Sequence, residues 1–193
     1  MNNIIKSLRL TLVFCVFFSV CYILVLWIFA QFAGPGKEGN IETVTLNGKV
    51  VGAANVGQQF TEKIYFWGRP SCAGDGYDGT SSAGSNKGVT NPEYLNEVDG
   101  RIDQFLKDHP YLKRSEVPAE MVTASASGLD PDITPACANV QVKRVADARH
   151  LTEAQVLAIV DSCIEGPALG LFGPEKVNVL KLNVALEQKY PSK

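Results

Sequence analysis

The chain has 193 residues, 46% of them hydrophobic, with a formal net charge of −2. That length carries one domain with a real core, and its weak acidity argues against a nucleic-acid or polyphosphate partner held by bulk charge. Of the cysteines, Cys15 and Cys21 fall in an apolar run, while Cys72, Cys137 and Cys163 have neither the count of a disulfide framework nor the spacing of a zinc site. These three read as small buried residues, with a Cys137–Cys163 bridge left open.

No charged residue interrupts the run from Leu10 to Ala33. A helix needs roughly 20 apolar residues to cross about 30 Å of hydrocarbon, so this run spans with tilt to spare. Lys6 and Arg9 precede it, and basic flanks stay cytoplasmic. Residues 1–9 are therefore expected in the cytoplasm, 10–33 in the membrane, and 34–193 outside as a single domain. The rival reading is a cleaved signal peptide. Its apolar core would be about 7–15 residues, ending at a small-x-small site; the run is longer, and Gln31 with Ala33 makes a poor site. Gly34-Pro35-Gly36 should break the helix at the membrane surface.

Next come two β-prone runs, 41–46 and 49–54, joined by Asn47-Gly48. That pair suits a tight turn with positive φ at both central residues, which predicts a hairpin. Residues 55–67 are dense in aromatics, which suits a core segment or a contact surface. The stretch 68–91 is rich in Gly, Ser, Asp and Asn. Structureless loops longer than about 12–15 residues tend to be functional or disordered, and this one reads as a loop that docks on a partner. Asn91-Pro92-Glu93 opens a helix by cap, first-position Pro and early acid. Leu95, Val98, Ile102, Phe105 and Leu106 supply its apolar face, and His109-Pro110 ends it. Residues 121–125 suggest a short strand, and 127–133 a loop. Thr134-Pro135 opens a helix running to about Arg149. Thr152 and Gln155 have capping-box spacing before a third helix, with Leu151 and Val156 as its staple; Gly166-Pro167 stops it. A strand entry near Val177 and a short terminal helix complete an α+β domain on one membrane helix.

Chemical motifs are sparse. Gly79 and Gly84 have phosphate-loop spacing, but Ser85-Asn86 stands where Lys-Ser/Thr is needed. Arg69 could hold a carboxylate on a partner or within the domain. Thr123, Ser125, Ser127, Gly128 and Asp130 crowd polar groups that could hold a ligand or satisfy a turn. Asp130 and Asp132 lack a third ligand, which makes a weak metal site, and none is expected. His109 and His150 fall near helix C-termini, where a partly charged imidazole is welcome. Gln141, Lys143, Arg144 and Arg149 share one helix, whose basic side reads as solvated. Neither Gly-x-Ser-x-Gly nor Ser-x-x-Lys occurs.

Several segments together resemble one family. They are Tyr65-Phe-Trp-Gly-Arg-Pro-Ser71, Ser82-Ala-Gly-Ser-Asn86, the run 122–133, Gln141-Val-Lys-Arg-Val-Ala-Asp-Ala-Arg149, and the run 177–186. With the N-terminal anchor, these span nearly the whole chain in order. The chain resembles the C subunit of the Kdp-type potassium-transporting ATPase of bacteria. The resemblance implies an accessory, non-catalytic subunit of the inner membrane. Its partners would be a channel-like potassium subunit, a P-type ATPase subunit and the lipid bilayer. The phosphorylation motif Asp-Lys-Thr-Gly-Thr of the ATPase subunit is absent here. The chain would stabilise assembly and act as a catalytic chaperone, raising the ATP affinity of the ATPase subunit. ATP would then act through the complex and not be held stably by this chain alone. On that reading Thr123, Ser125, Ser127 and Gln141 are the ATP candidates, and Arg69, Ser85 and Asn86 the docking candidates. The alternative is a membrane-tethered extracytoplasmic enzyme or ligand-binding domain working alone.

Overall fold

A computed structural model describes residues 2–32 and 39–192. The expected break at Gly34-Pro35-Gly36, and Ala33 before it, lie outside the described residues. Two units result, Met1–Glu42 and Thr43–Lys193.

The first is a helix. It runs as α1 (Asn2–Phe17), a π-helical stretch (Phe18–Tyr22) and α2 (Ile23–Phe32). Its apolar part, Asn3–Phe32, has 30 residues. At 1.5 Å per residue it is about 45 Å long, more than the hydrocarbon thickness. The helix begins well before Leu10, so Lys6 and Arg9 are carried on its first turns. The ladder widens by one residue per turn at Phe18–Tyr22, a feature with no sequence marker.

The second unit is α+β. Strands β1 (Thr43–Leu46) and β2 (Lys49–Ala53) pair antiparallel. Asn47 and Gly48 have φ of 52° and 77°, the two positive values that the expected turn demands. Helix α3 (Pro92–Asp108) is capped by the Asn91 side chain, which accepts from the amides of Glu93 and Tyr94. Of its predicted apolar face, Phe105 is buried, but Leu95 is 49% exposed. The second half of α3 therefore anchors it.

A small antiparallel sheet follows, in the order β3 (Asp132–Ile133), β5 (Lys176–Asn178), β4 (Ile164–Glu165). Around it pack α4 (Pro135–Asn139), α5 (Val142–Arg149), α6 (Glu153–Ser162) and α7 (Val179–Lys189). Ile133, Val145, Val156, Val160, Val177, Leu182 and Leu186 form the centre of the core with Phe66. The Thr152–Gln155 capping box at α6 is present in both directions. The buried Asn178 joins the hairpin to this core. Its amide donates to the Ala54 carbonyl at 2.7 Å, while its oxygen caps α7.

Three expectations are corrected, and the cysteine alternative left open by the sequence is resolved. Residues 121–125 form no strand: Ala119–Met121 is a 3-10 turn, and the Thr123 hydroxyl donates back to the Ala119 carbonyl at 2.8 Å, which favours a turn over a ladder. The helix expected over 134–149 is broken between α4 and α5. The Tyr111 hydroxyl enters the ladder there, accepting from the Arg144 amide at 3.2 Å and donating to the Val140 carbonyl at 2.8 Å. Those two groups would otherwise bond to each other, so the inserted hydroxyl separates the turns. Helix α6 ends at Ser162, before Gly166-Pro167, because the chain turns into β4. All the cysteines are free. Cys137 is buried, and its thiol donates to Glu120 at 3.1 Å, so no bridge to Cys163 forms.

Candidate functional site

Residues 63–70 cross the domain without regular secondary structure, yet Phe66 is fully buried. A buried backbone must find partners for its amides and carbonyls. Here side chains from the helices supply them one residue at a time. The Asn183 amide, from α7, accepts from the Phe66 amide at 2.8 Å and donates to its carbonyl at 3.0 Å. Gln141 does the same for Trp67, at 2.8 and 3.1 Å. Each amide side chain thus acts as a one-residue strand. Arg144 donates to the carbonyls of Lys63 and Tyr65 at 2.6 and 3.0 Å, and Arg149 to that of Ile64 at 2.6 Å.

These arginines are not the solvated face that the sequence suggested. Arg144 is 4% exposed. Besides its carbonyls it holds the Gln141 oxygen at 2.7 Å and His109 Nε2 at 3.0 Å. Its guanidinium lies 3.8 Å from the Trp67 ring centre, a favourable cation–π geometry. Burial lowers the pKa of Arg144 to about 10, so it stays charged at neutral pH. Arg149 pairs with Glu187 at 3.2 Å. Burial alone would raise Glu187, but hydrogen bonds from Ser192 and the Arg149 charge bring it down to about 2.

His109 ends α3 as expected, but it is not charged there. It is fully buried, with Nδ1 2.8 Å from the Phe105 carbonyl and its ring stacked on Phe105 at 3.9 Å. Burial, aided by the Arg144 charge, drops its pKa to about 4, against the opposing Phe105 hydrogen bond. Nδ1 is the donor to Phe105, and Nε2 accepts from Arg144.

Beyond Trp67 the segment opens onto a groove of about 390 Å³, whose lining includes Phe60, Trp67, Arg69, Tyr77, Phe105 and Met121. Arg69 donates to Asp130 at 3.3 Å and to the Ala124 carbonyl at 3.4 Å, and lies 3.8 Å from Glu120; its Nε has no partner among the described residues. The Tyr77 hydroxyl donates to the Arg69 carbonyl at 2.6 Å. Burial and the Asp130 charge push Tyr77 up to about 12, against the pull of Arg69. Cys137 is likewise pushed to about 12, first by burial, which makes it an inert thiol.

Residues 70–83 of the 68–91 loop are pinned to residues 124–130. Ser125 donates its amide to the Pro70 carbonyl at 3.1 Å, and Ala83 its amide to the Ser127 carbonyl at 3.0 Å. The Ser71 hydroxyl donates to the Gly128 carbonyl at 2.6 Å. Gly128 has φ +70°, and a Cβ there would sit 2.7 Å from the Ala73 nitrogen and the Ala83 oxygen.

Of the docking candidates, Arg69 lines the groove, Ser85 is half-buried and Asn86 is exposed at φ 50°. Of the ATP candidates, Thr123 and Ser127 satisfy local turns. Ser125 is buried and Gln141 fully so. Gln141 stands apart from the other three, inside the Trp67 contact. Asp130 and Asp132 are paired with Arg69 and Lys176, and among the described residues no group of three His, Cys, Asp or Glu converges. Sequence reasoning missed Asn183, Arg144 and Arg149 as organisers. The available signal was Asn183 in the largely apolar run 182–186.

A model of the family "K+-transporting ATPase, c chain" matches residues 4–188. The chain is 78% identical to the potassium-transporting ATPase KdpC subunit of Phocaeicola vulgatus, over 97% of this chain and 99% of the relative. It is 52% identical to the KdpC subunit of Flavobacterium psychrophilum, with the same coverage. The identity is 46% to that of Caldanaerobacter subterraneus, over 96% of this chain and 94% of the relative. The matching stretch takes in the apolar helix, the side-chain-held segment 63–70 and the sheet with its helices, and the chain belongs to the C-chain family of potassium-transporting ATPases.

Proposed function

We propose that this chain is a non-catalytic accessory subunit that holds together the potassium-transporting and ATP-hydrolysing subunits of a high-affinity uptake complex. The observation that carries this reading is the use of the domain's polar side chains. Gln141, Arg144, Arg149 and Asn183 are all consumed in fixing the backbone of residues 63–67. That is the construction of a rigid platform, with Arg69 and the groove at its edge. Lys6 and Arg9 favour a cytoplasmic N-terminus in the inner membrane and a domain on the outer face. The partners in this reading are a channel-like potassium subunit, a P-type ATPase subunit and the bilayer around the helix.

Affinity purification of the tagged full-length chain from potassium-starved cells tests it. Roughly stoichiometric recovery of both other subunits is expected. Recovery of the chain alone, under conditions that keep other membrane complexes intact, would refute it and favour a tethered domain working independently.

A role in raising ATP affinity, with Thr123, Ser125 and Ser127 as contact candidates, requires the domain on the ATP side of the membrane and so stands against the outer-face topology, which the basic flank of the helix favours. Gln141 would then act as a positioning residue, because both ends of its amide hold Trp67. Nucleotide affinity of the whole complex should fall with Ser127→Ala if that serine touches ATP; an unchanged affinity removes it.

A further inference from the structure

Between β4 and β5 the chain makes a finger, residues 166–174, bounded by Gly166-Pro167 and Gly173-Pro174. Leu169, Leu171 and Phe172 are 89%, 81% and 66% exposed. Elsewhere in the domain large exposed apolar side chains occur singly or as the pair Val50–Val51. Scattered residues of that kind need no explanation, but a cluster does.

The finger is preorganised. Ala168 and Phe172 exchange backbone hydrogen bonds at 2.8 and 3.0 Å, and the Gly170 amide donates to the Pro167 carbonyl at 2.9 Å. Leu169 is held at φ 55°, a left-handed conformation that a leucine rarely adopts. The turn therefore fixes the backbone that carries these apolar side chains while burying none of them.

Charge indicates what covers it. No ionisable side chain lies between Gly166 and Pro174. At the base Glu165 pairs with Lys176 and Lys181, each at 3.7 Å, and Lys176 is also engaged by Asp132 at 2.7 Å. Glu175 adds an exposed acid. Anionic headgroups are recognised by clustered Lys and Arg, which this finger lacks. A neutral, concave apolar protein surface is its complement, since a few rigid apolar anchors can dominate an interface.

We propose that the 166–174 finger is a docking anchor whose Leu169, Leu171 and Phe172 enter an apolar pocket on another subunit of the potassium-transporting ATPase. This rests on the accessory-subunit reading above.

The test places a photo-crosslinking p-benzoylphenylalanine at position 171 of the full-length chain, in cells expressing the whole complex. The adduct is identified by mass spectrometry. A crosslink to another subunit of the ATPase is expected. A crosslink to phospholipid, to a second copy of this chain, or to nothing while the complex co-purifies intact would overturn the proposal. In parallel, Leu171→Ser with Phe172→Ser should speed dissociation of the complex by about 30-fold, the scale of a lost interface anchor. Leu171→Met with Phe172→Leu should preserve it. Unaltered retention by the serine pair also overturns the anchor. If the wild-type chain recovers no ATPase subunit at all, the accessory-subunit reading itself has failed, and the finger's role falls with it.

Discussion

Replacing Gln141 by Leu separates a structural role from a ligand role. Leucine fills similar volume, so little cavity cost arises. What is lost is polar. The Trp67 amide and carbonyl each lose a partner, held at 2.8 and 3.1 Å, and Arg144 loses the acceptor of its 2.7 Å bond. An unsatisfied buried donor or acceptor costs about 1–3 kcal/mol, and the partial exposure of Trp67 places the sum near 3–5 kcal/mol on that scale. That is a large share of a typical stability of about 5–15 kcal/mol. For a domain of this size each kcal/mol moves Tm by about 2–4 °C, so a fall of roughly 6–20 °C is expected. The assay is thermal unfolding of the full-length chain in detergent, followed by tryptophan fluorescence with Trp27 replaced by Phe so that the signal is that of Trp67, whose ring lies against Arg144. Gln141→Glu keeps the two acceptor contacts but turns a carboxylate oxygen onto the Trp67 and Cys137 carbonyls, so it too should lower Tm. A Tm shift under about 2 °C for Gln141→Leu would amount to at most ~1 kcal/mol and show that the amide does not hold Trp67. Gln141 would then be free for a ligand.

Two further outcomes follow from the same geometry. His109 is neutral in the fold with a pKa near 4, while the unfolded chain titrates near 6.5; between these values the unfolded state binds more protons, so stability falls as pH drops through that window, by about 2–4 kcal/mol in all. Unfolding midpoints at pH 7.5 and pH 5 should differ accordingly, and His109→Phe should flatten the difference. Gly128→Ala forces a Cβ against the Ala73 nitrogen and Ala83 oxygen at φ +70°, so the 68–91 loop should lift from residues 124–130 and become cleavable by protease within Gly79–Lys87; an unaltered digestion pattern would show that the loop is held elsewhere.

What the sequence discloses here is local chemistry. The Asn47-Gly48 hairpin, the Asn91 cap and the Thr152–Gln155 box each depend on a few adjacent residues, and each is found in the structure. What it conceals depends on groups far along the chain. The break between α4 and α5 is made by Tyr111, about thirty positions upstream of its two targets. Arg144 and Arg149 look like a solvated face because their acceptors, the carbonyls of residues 63–65, lie some eighty residues away. A guanidinium can be buried only where such partners converge, and periodicity carries no trace of them. The candidate site was half legible for the same reason. Arg69 and the 68–91 loop drew attention by composition, whereas the backbone-reading roles of Gln141 and Asn183 emerge only once residues 66 and 67 are laid between two helices.

As an accessory subunit, the chain is proposed to hold the complex together. The most direct measurement is isolation of the other two subunits, in mild detergent, from potassium-starved cells that lack this chain. They are expected no longer to co-isolate, and co-isolation should return when the full chain is supplied. Stable, stoichiometric recovery of the two subunits together without it would contradict that role.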